Sequence, residues 1–394
     1  MFDLDRPLIR IAIVSDIHAF ASKDKASDSV QDFSRAIPGS TPLCELADEI
    51  ERQGRKADVL ACAGDICNQA DFGGLERAWA ELHRLRGTLC ASEVIATCGN
   101  HDLDSRYLSN ETDPDPKGAL LSLSPCFPFA DPALTDKFWA RNYAVFHYSK
   151  DVVISVLNTS AYHGGKQDEV GHGRISKRTI DALVAELKGF PVALTHVLVC
   201  HHHPLPLSGT ARTTDTEFMR NGQDLLDGIV KATGTSWLII HGHRHKPRLI
   251  HGASSTNAVP FVLGAGSLGA RITGVPNQFH IASLYTSHAP EHASIVGRVE
   301  TWSWNESSGW SSSAQSDGLP PICGFGYRGQ IRALARGIAV LVGGEFLSWE
   351  DIRSNLPSVD FLMPDALREL EIELEKLQLN ILRHRGGHFH QVGR

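Results

Sequence analysis

The sequence predicts an α/β fold, and three observations carry that prediction. Short β-branched runs alternate with amphipathic segments of helical period over the first 240 or so residues. Several of these apolar runs stop abruptly at Gly- or Ser-led clusters of Asp, Asn and His. Beyond about residue 260 the helical segments give way to runs that read as antiparallel strands joined by a turn at Asn305-Glu-Ser-Ser-Gly. Alternation of the first kind implies βαβ units and a largely parallel sheet. In such sheets ligands bind beyond the carboxyl ends of the strands, where these clusters would lie together.

The totals agree with a soluble globular chain. Its 394 residues allow two domains, or one large domain with an extension. With 42% hydrophobic and 21% charged residues, a sizeable core can be buried. A net charge of −7 gives no bulk electrostatic case for nucleic acid. Eight Cys lack paired spacing and Cys62, Cys98 and Cys200 sit in apolar runs, which reads as buried thiols in a reducing compartment. No signal peptide and no apolar stretch near 20 residues is present, so the expectation is a cytoplasmic protein without membrane contact.

In order, Leu8 to Val14 is a strand ending in Ser15-Asp16-Ile17-His18. On an extended backbone Asp16 and His18 project from the same side, where carboxylate and imidazole can grip one cation. Taken alone, the pair reads rather as a turn cap beside a surface His. Pro42 to Arg52 has helical period, with Leu43, Leu46, Ala47 and Ile50 on one face. Asp58 to Ala63 is the next strand, ending in Gly64-Asp65, and Leu75 to Arg86 an amphipathic helix. Glu93 to Thr97 ends in Cys98-Gly99-Asn100-His101-Asp102. Residues 104–141 form a Pro-rich, mostly irregular insertion whose Phe127, Phe129, Phe138 and Trp139 serve either as a pocket wall or as surface cover. Val152 to Leu157 is a strand running into Asn158-Thr-Ser, and the following His163 and His172 are candidates for substrate contact. Ser176 caps a helix to Leu187, and Val197 to Cys200 is a strand ending in His201-His202-His203-Pro204. Phe218 to Lys231 is a helix, and Trp237 to Ile240 a strand running into His241-Gly242-His243-Arg244-His245.

A Ser-, Gly- and Pro-rich stretch at 314–330 divides the chain into a domain over 1–313, a linker, and a helical extension over 331–394. In the extension Leu367, Leu370, Leu374, Leu377 and Ile381 recur at spacings of 3 and 4. That stripe either docks on the main domain or offers residues 365–385 to a partner or a second copy. Arg385-Gly-Gly-His-Phe-His reads as a frayed end.

Taken together, the strand ends are Asp-x-His, Gly-Asp, Gly-Asn-His-Asp, His-His and Gly-His-x-His. They hold ligands in the numbers two metal ions need, and their N and O donors suit Mn, Zn or Fe. Two such ions roughly 3.5–4 Å apart are the usual apparatus of phosphoester hydrolysis.

This set and order resembles the calcineurin-like metallophosphoesterases over about residues 8 to 310, and the His-His-His-Pro-Leu-Pro-Leu block looks like their cyclic-nucleotide and glycerophosphodiesterase branch. The resemblance implies a four-layer αββα sandwich of two mixed sheets with helices outside. It implies Asp16, His18 and His245 at a first metal, Asn100, His201 and His243 at a second, and Asp65 as the bridge. It further implies attack on phosphorus by a metal-bound hydroxide, with His101 contacting the phosphoryl oxygens or protonating the leaving oxygen.

Two departures stand out. Counting back from Pro204 selects His202 as the ligand, whereas placing the ligand directly after the strand selects His201. The latter is preferred, with His202 and His203 on the substrate side or behind the ligands. Asn68 stands where some relatives carry an acidic residue or a Tyr, which argues against the ferric purple branch. The expected activity is hydrolysis of a small phosphodiester or phosphomonoester. The alternatives are a metal-dependent nuclease, or a regulatory scaffold with a partner-binding C-terminal helix. The expected pocket walls, 104–141, 162–176 and 205–217, carry no readable specificity.

Overall fold

The computed structural model describes all residues except 1–5, 26–27, 36–40, 105–114, 165–170, 191–194, 208–214, 255, 257 and 385–386. Parts of all three expected walls and the first two residues of the expected frayed end therefore lie outside the described residues.

The chain opens with β1 (Ile9–Val14), α1 (Pro42–Gln53), β2 (Val59–Cys62), α2 (Phe72–Thr88) and β3 (Glu93–Ala96). The apolar stripe of α1 buries Leu43, Leu46, Ala47 and Ile50, and the helix stops at Gly54 in the left-handed region. Two short helices, α3 (Gly118–Leu121) and α4 (Pro132–Arg141), precede β4 (Tyr143–His147) and β5 (Val152–Leu157). Then come α5 (Lys177–Lys188), β6 (Thr195–Val199), α6 (Gly222–Thr233), β7 (Trp237–His241), β8 (Arg248–His251) and β9 (Phe261–Gly264). The Ser176 hydroxyl accepts from Thr179 N at 3.1 Å, the expected cap of α5. The antiparallel section is β10 (Asn277–Thr286), β11 (His292–Asn305), β12 (Gly309–Ser312) and β13 (Ile322–Tyr327).

Two mixed sheets form the expected sandwich. One has the order β12-β11-β10-β1-β2-β3, with β13 also on β11; the other runs β4-β5-β6-β7-β9-β8. Strands β1, β2 and β3 are parallel, as are β5, β6, β7 and β9, while β4, β8 and the β10–β13 set are antiparallel to their neighbours. One continuous core joins the sheets, with Ile13, Leu60 and Ile95 in the same cluster as Ile154, Val197, Val199, Leu238 and Ile240. The alternate residues Val153, Leu198 and Ile239 face α5 and α6 instead. That two-residue alternation is why these strands are apolar throughout: both of their faces are covered.

The insertion is less irregular than expected. It carries α3 and α4, and Phe127, Phe129 and Phe138 are buried. Phe127 meets Trp79 of α2 edge-on at 5.4 Å, and Trp79 Nε1 donates to Pro125 O at 2.8 Å. These aromatics are core on α2. Strands β4 and β8, and β13 within the expected linker, are additions to the elements read from sequence.

The C-terminal region holds α7 (Ile331–Val342), β14 (Leu347–Ser348), α8 (Trp349–Asn355), α9 (Pro364–Lys376), β15 (Asn380–Arg383) and β16 (Phe389–Gly393). Its three strands pair antiparallel in the order β14-β16-β15, so the helical extension also carries a small sheet, and part of the expected frayed end is β16. Two- to five-residue strands with exposed faces leave little periodicity to read. Leu367, Leu370 and Leu374 are buried in the same cluster as Leu334, Ala335 and Ile338 of α7, which spends the apolar stripe inside the chain. Ile381, expected to continue that stripe, belongs to β15. Gly324 N donates to Leu362 O at 2.7 Å, tying this unit to β13. Among the described residues no helix is long and apolar enough to cross a membrane.

Candidate metal centre

The carboxyl ends of β1, β2, β3, β6 and β7 deliver the predicted residues to one place. Backbone bonds lock the loops together: Asp16 N donates to Gly64 O at 2.9 Å, His18 N to Asp65 O at 3.0 Å, and Gly242 N to His201 O at 3.0 Å. Ser267 Oγ donates to Asp16 O at 2.6 Å, adding a residue from beyond β9.

The extended backbone assumed for Asp16-x-His18 does not occur, and His243-x-His245 is not extended either. Asp16, His18, Asp65, His243 and His245 all have positive φ, between 51° and 74°. Non-glycine residues rarely adopt this region, and a cluster of such residues is typical of a site whose surroundings hold strained backbone in place. Two-residue spacing still converges the side chains, through tight left-handed turns. Arg244, between the two histidines, reaches Glu217 in an ion pair.

Asp16, His18 and His245 form one group whose ligand atoms lie within 4.8 Å of one another; His201, His202 and His243 form another. In the first, His245 Nε2 is 3.3 Å from Asp16 Oδ1 and 3.1 Å from His18 Nε2. In the second, His243 Nδ1 is 3.1 Å from Asn100 Oδ1. Asp65 stands between them, its Oδ2 3.2 Å from His201 Nε2 and 3.8 Å from His18 Nε2. Its other oxygen accepts from His101 N at 2.7 Å. A Cβ on Gly99 would come within 2.1 Å of Asp65 Oδ1, so only glycine permits this approach of the third loop to the second. His101 meets His18 edge-on at 4.7 Å, and Asn68 Oδ1 lies 2.9 Å from His101 Nδ1, fixing the ring.

The electrostatics are those of buried groups leaning on one another. Burial raises the Asp16 carboxyl, but His245 beside it outweighs that and holds it at about 2. Burial likewise raises Asp65, and the surrounding histidines, His201 foremost, bring it well below the usual carboxylate range. Burial lowers His201, yet Asp65 overrides it and raises the imidazole to about 9. In His18, burial first and then His101 outweigh the opposing pull of Asp65 and bring the imidazole to about 3. Nε2 atoms of His202 and His243 are buried without a hydrogen bond. Buried imidazole nitrogens facing one another and two carboxylates need a positive centre, and a set of N and O donors fits a transition-metal ion.

Other predicted residues fall behind this group. His163 and His172 are buried; His163 Nε2 pairs with His172 O at 3.1 Å, and its ring packs 5.4 Å from that of His202. His203 Nε2 pairs with Asp215 at 2.7 Å. Three residues had no assigned role in the sequence. Asp102 accepts from Gly99 N at 2.8 Å and Cys67 N at 2.9 Å, so one carboxylate holds two ligand loops. Burial first, then Asp65, raises it to about 7. Thr159 Oγ1 lies 2.8 Å from His202 Nδ1. Glu217 Oε2 lies 3.8 Å from His243 Nε2. Asp102 closes a ligand block and was open to notice; nothing local marks Thr159 or Glu217.

Comparison with known proteins gives two family matches. A model described as calcineurin-like phosphoesterase matches residues 9–247, more than half the chain, and a second, described as wHTH-Calcineurin_assc, matches residues 323–376. No curated protein sequence matches. Among solved structures, the chain is similar to the purple acid phosphatase PPD1 from yellow lupin (Lupinus luteus) seeds, at 11% identity and a TM-score of 0.46, covering 76% of this chain and 52% of that one. It thus spans about half the length of the lupin protein. It is also similar to YfcE, a phosphoesterase from E. coli, at 13% identity and a TM-score of 0.30, covering 74% of this chain and 92% of that one. A third is the Thermus thermophilus sulfate thiohydrolase SoxB, at 14% identity and a TM-score of 0.36, covering 72% of this chain and 55% of that one.

Proposed function

The chain belongs to the calcineurin-like phosphoesterase family, and from that premise we propose that it hydrolyses a small phosphodiester or phosphomonoester at a centre of two metal ions. The observation that carries the reading is the position of Asp65, one of whose oxygens lies 3.2 Å from His201 and 3.8 Å from His18. A carboxylate between two ligand groups is what a bridged pair requires. Asp16, His18 and His245 would hold one ion, Asn100, His201 and His243 the other, with Mn, Zn or Fe as the metals the donor set favours. Bound there, the ions would supply an activated water near neutral pH and offset charge growing on the phosphoryl oxygens.

The chain's own groups supply the rest. Asn68 orients His101 through Nδ1, and His101 would meet the phosphoryl or leaving oxygen. Asp102 keeps the Asp65 and Asn100 loops in register. Burial of Asp16, His18, Asp65 and His201 excludes bulk water from one side of the group, where charged and polar contacts strengthen.

Metal analysis after reconstitution with Mn or Zn tests the centre, with about two ions per chain expected and none fatal to the reading. A panel of bis-aryl phosphodiester, aryl monoester, cyclic nucleotides and single-stranded DNA then tests the substrate. Turnover of the DNA alone would replace this reading with a nuclease. For the C-terminal unit, a protein partner fits better than nucleic acid: α9 carries Asp365, Glu369, Glu371, Glu373 and Glu375 against Arg368 and Lys376. An acidic helix repels phosphates, and binding of the full chain to duplex DNA at low salt would overturn this assignment.

A further inference from the structure

We propose that His202 is a third imidazole ligand at the ion position formed by His201 and His243, set in place by Thr159; this rests on the two-metal reading above.

His201 and His202 are consecutive, and on a strand consecutive side chains leave by opposite faces. Here β6 has already ended at Val199 and the chain bends through both residues, so both rings turn toward His243. Ring centroids lie 4.8 Å apart for His201 and His202, and 4.4 Å apart for His202 and His243. The three residues can place ligand atoms within 4.8 Å of one another. His202 has no exposed surface, and its Nε2 has no hydrogen-bond partner. A buried polar atom left in that state destabilises the fold, and a shared cation would relieve it.

The opposite side of the ring is held firmly. Thr159 Oγ1 lies 2.8 Å from Nδ1 and accepts from His202 N at 3.2 Å. Thr159 is itself fixed by Arg174 N, which donates to its carbonyl at 2.9 Å. With Nδ1–H donated to the threonine oxygen, Nε2 presents a lone pair, the arrangement in which metal-binding histidines are usually held. The surroundings make room for this ring: a Cβ on Gly173 would come within 2.4 Å of His202 Cβ. His163, packed 5.4 Å behind, blocks retreat. The result is an asymmetric pair, with a nitrogen-rich position at His201, His202 and His243 and a more oxygen-rich one at Asp16, His18 and His245. The nitrogen-rich position would favour Zn or Co over Mn.

The test uses the full chain, stripped of metal and titrated with Co²⁺, reading bound ions by mass analysis, affinity by chelator competition, and coordination by visible absorption. His202→Ala is expected to weaken one of the two equivalents by more than about tenfold and to change its absorption, leaving the other equivalent as in wild type. Thr159→Val is expected to weaken the same equivalent by about tenfold. Wild-type affinity and spectrum in His202→Ala would overturn the proposal. Where His202→Ala fails to fold, as judged by near-ultraviolet circular dichroism, Thr159→Val decides, and its unchanged affinity and spectrum would equally overturn it. Loss of the equivalent in His201→Ala alone rejects this proposal and spares the two-metal reading. Failure of wild type to take up a second ion rejects that reading itself.

Discussion

His18 Nε2 and His245 Nε2 stand 3.1 Å apart, one at the end of β1 and the other beyond β7. Two imidazoles in that position share at most one proton, and burial opposes charging His18. A cation between them and Asp16 satisfies both. Metal loading is therefore expected to stabilise the fold. At 100 times the dissociation constant the gain is about 2.7 kcal/mol per ion, read as a rise in thermal midpoint over chelator-treated protein. An unchanged midpoint at saturating Mn²⁺ or Zn²⁺ would contradict it.

Asn100 and His101 are neighbours with different contacts, and the two substitutions should separate. Asn100→Ala removes the oxygen beside His243 and is expected to lower metal occupancy. His101→Ala is expected to retain the ions and lose roughly 10²–10⁴ in kcat. Equal loss of metal in both variants would contradict these roles.

Asp102 tests whether the loop register matters separately from the ligands. Asp102→Ala strands two buried backbone N–H groups, Gly99 and Cys67. It should cost roughly 1–3 kcal/mol for each, measured by urea unfolding of metal-free protein. Asp102→Asn keeps one acceptor and should cost less. Equal stability of the two variants would remove this role.

His280 offers a pH prediction away from the centre. Its Nε2 accepts from Gly266 N at 3.2 Å, and its Nδ1 lies 3.0 Å from Thr301 Oγ1. Protonating Nε2 would set two N–H groups against each other in a fully buried place, and burial lowers the imidazole to about 3. The folded value lies below the ordinary 6.5, so the unfolded chain takes up the proton first. Stability is then complete above pH 6.5 and falls as pH drops toward 3, by up to about 1.4 kcal/mol per pH unit. Comparing unfolding of chelator-treated wild type and His280→Gln between pH 6 and pH 4 isolates this group. The variant should show the shallower slope, and parallel slopes would refute the assignment.

Much of the main domain could be read from residues alone, because a strand covered on both faces must be apolar throughout and must stop where its chain meets water or ligand. Val197–Val199 and Trp237–Ile240 show both properties. The small sheet of β14, β15 and β16 shows neither, since its strands are short and much of β15 is exposed. The aromatics of the insertion could be read as apolar, but only packing against Trp79 assigns them to the core.

By itself the sequence determined which residue types gather at strand ends, and in what order: Asp16, His18, Asp65, Asn100, His201, His243 and His245. Strand periodicity and the spacing of the blocks contain that much. Tertiary structure alone decided how those residues meet. Left-handed turns at Asp16, His18, Asp65, His243 and His245 aim the side chains, a conformation that Asp and His tolerate better than most residues but adopt only where their surroundings impose it. Asp65 falls between two groups only because two sheets bring β2 beside β1 and the end of β6 across from both. That His202 turns toward His243 beside His201 could not be read along a strand, since it depends on a bend after β6 and on a hydroxyl 43 residues away.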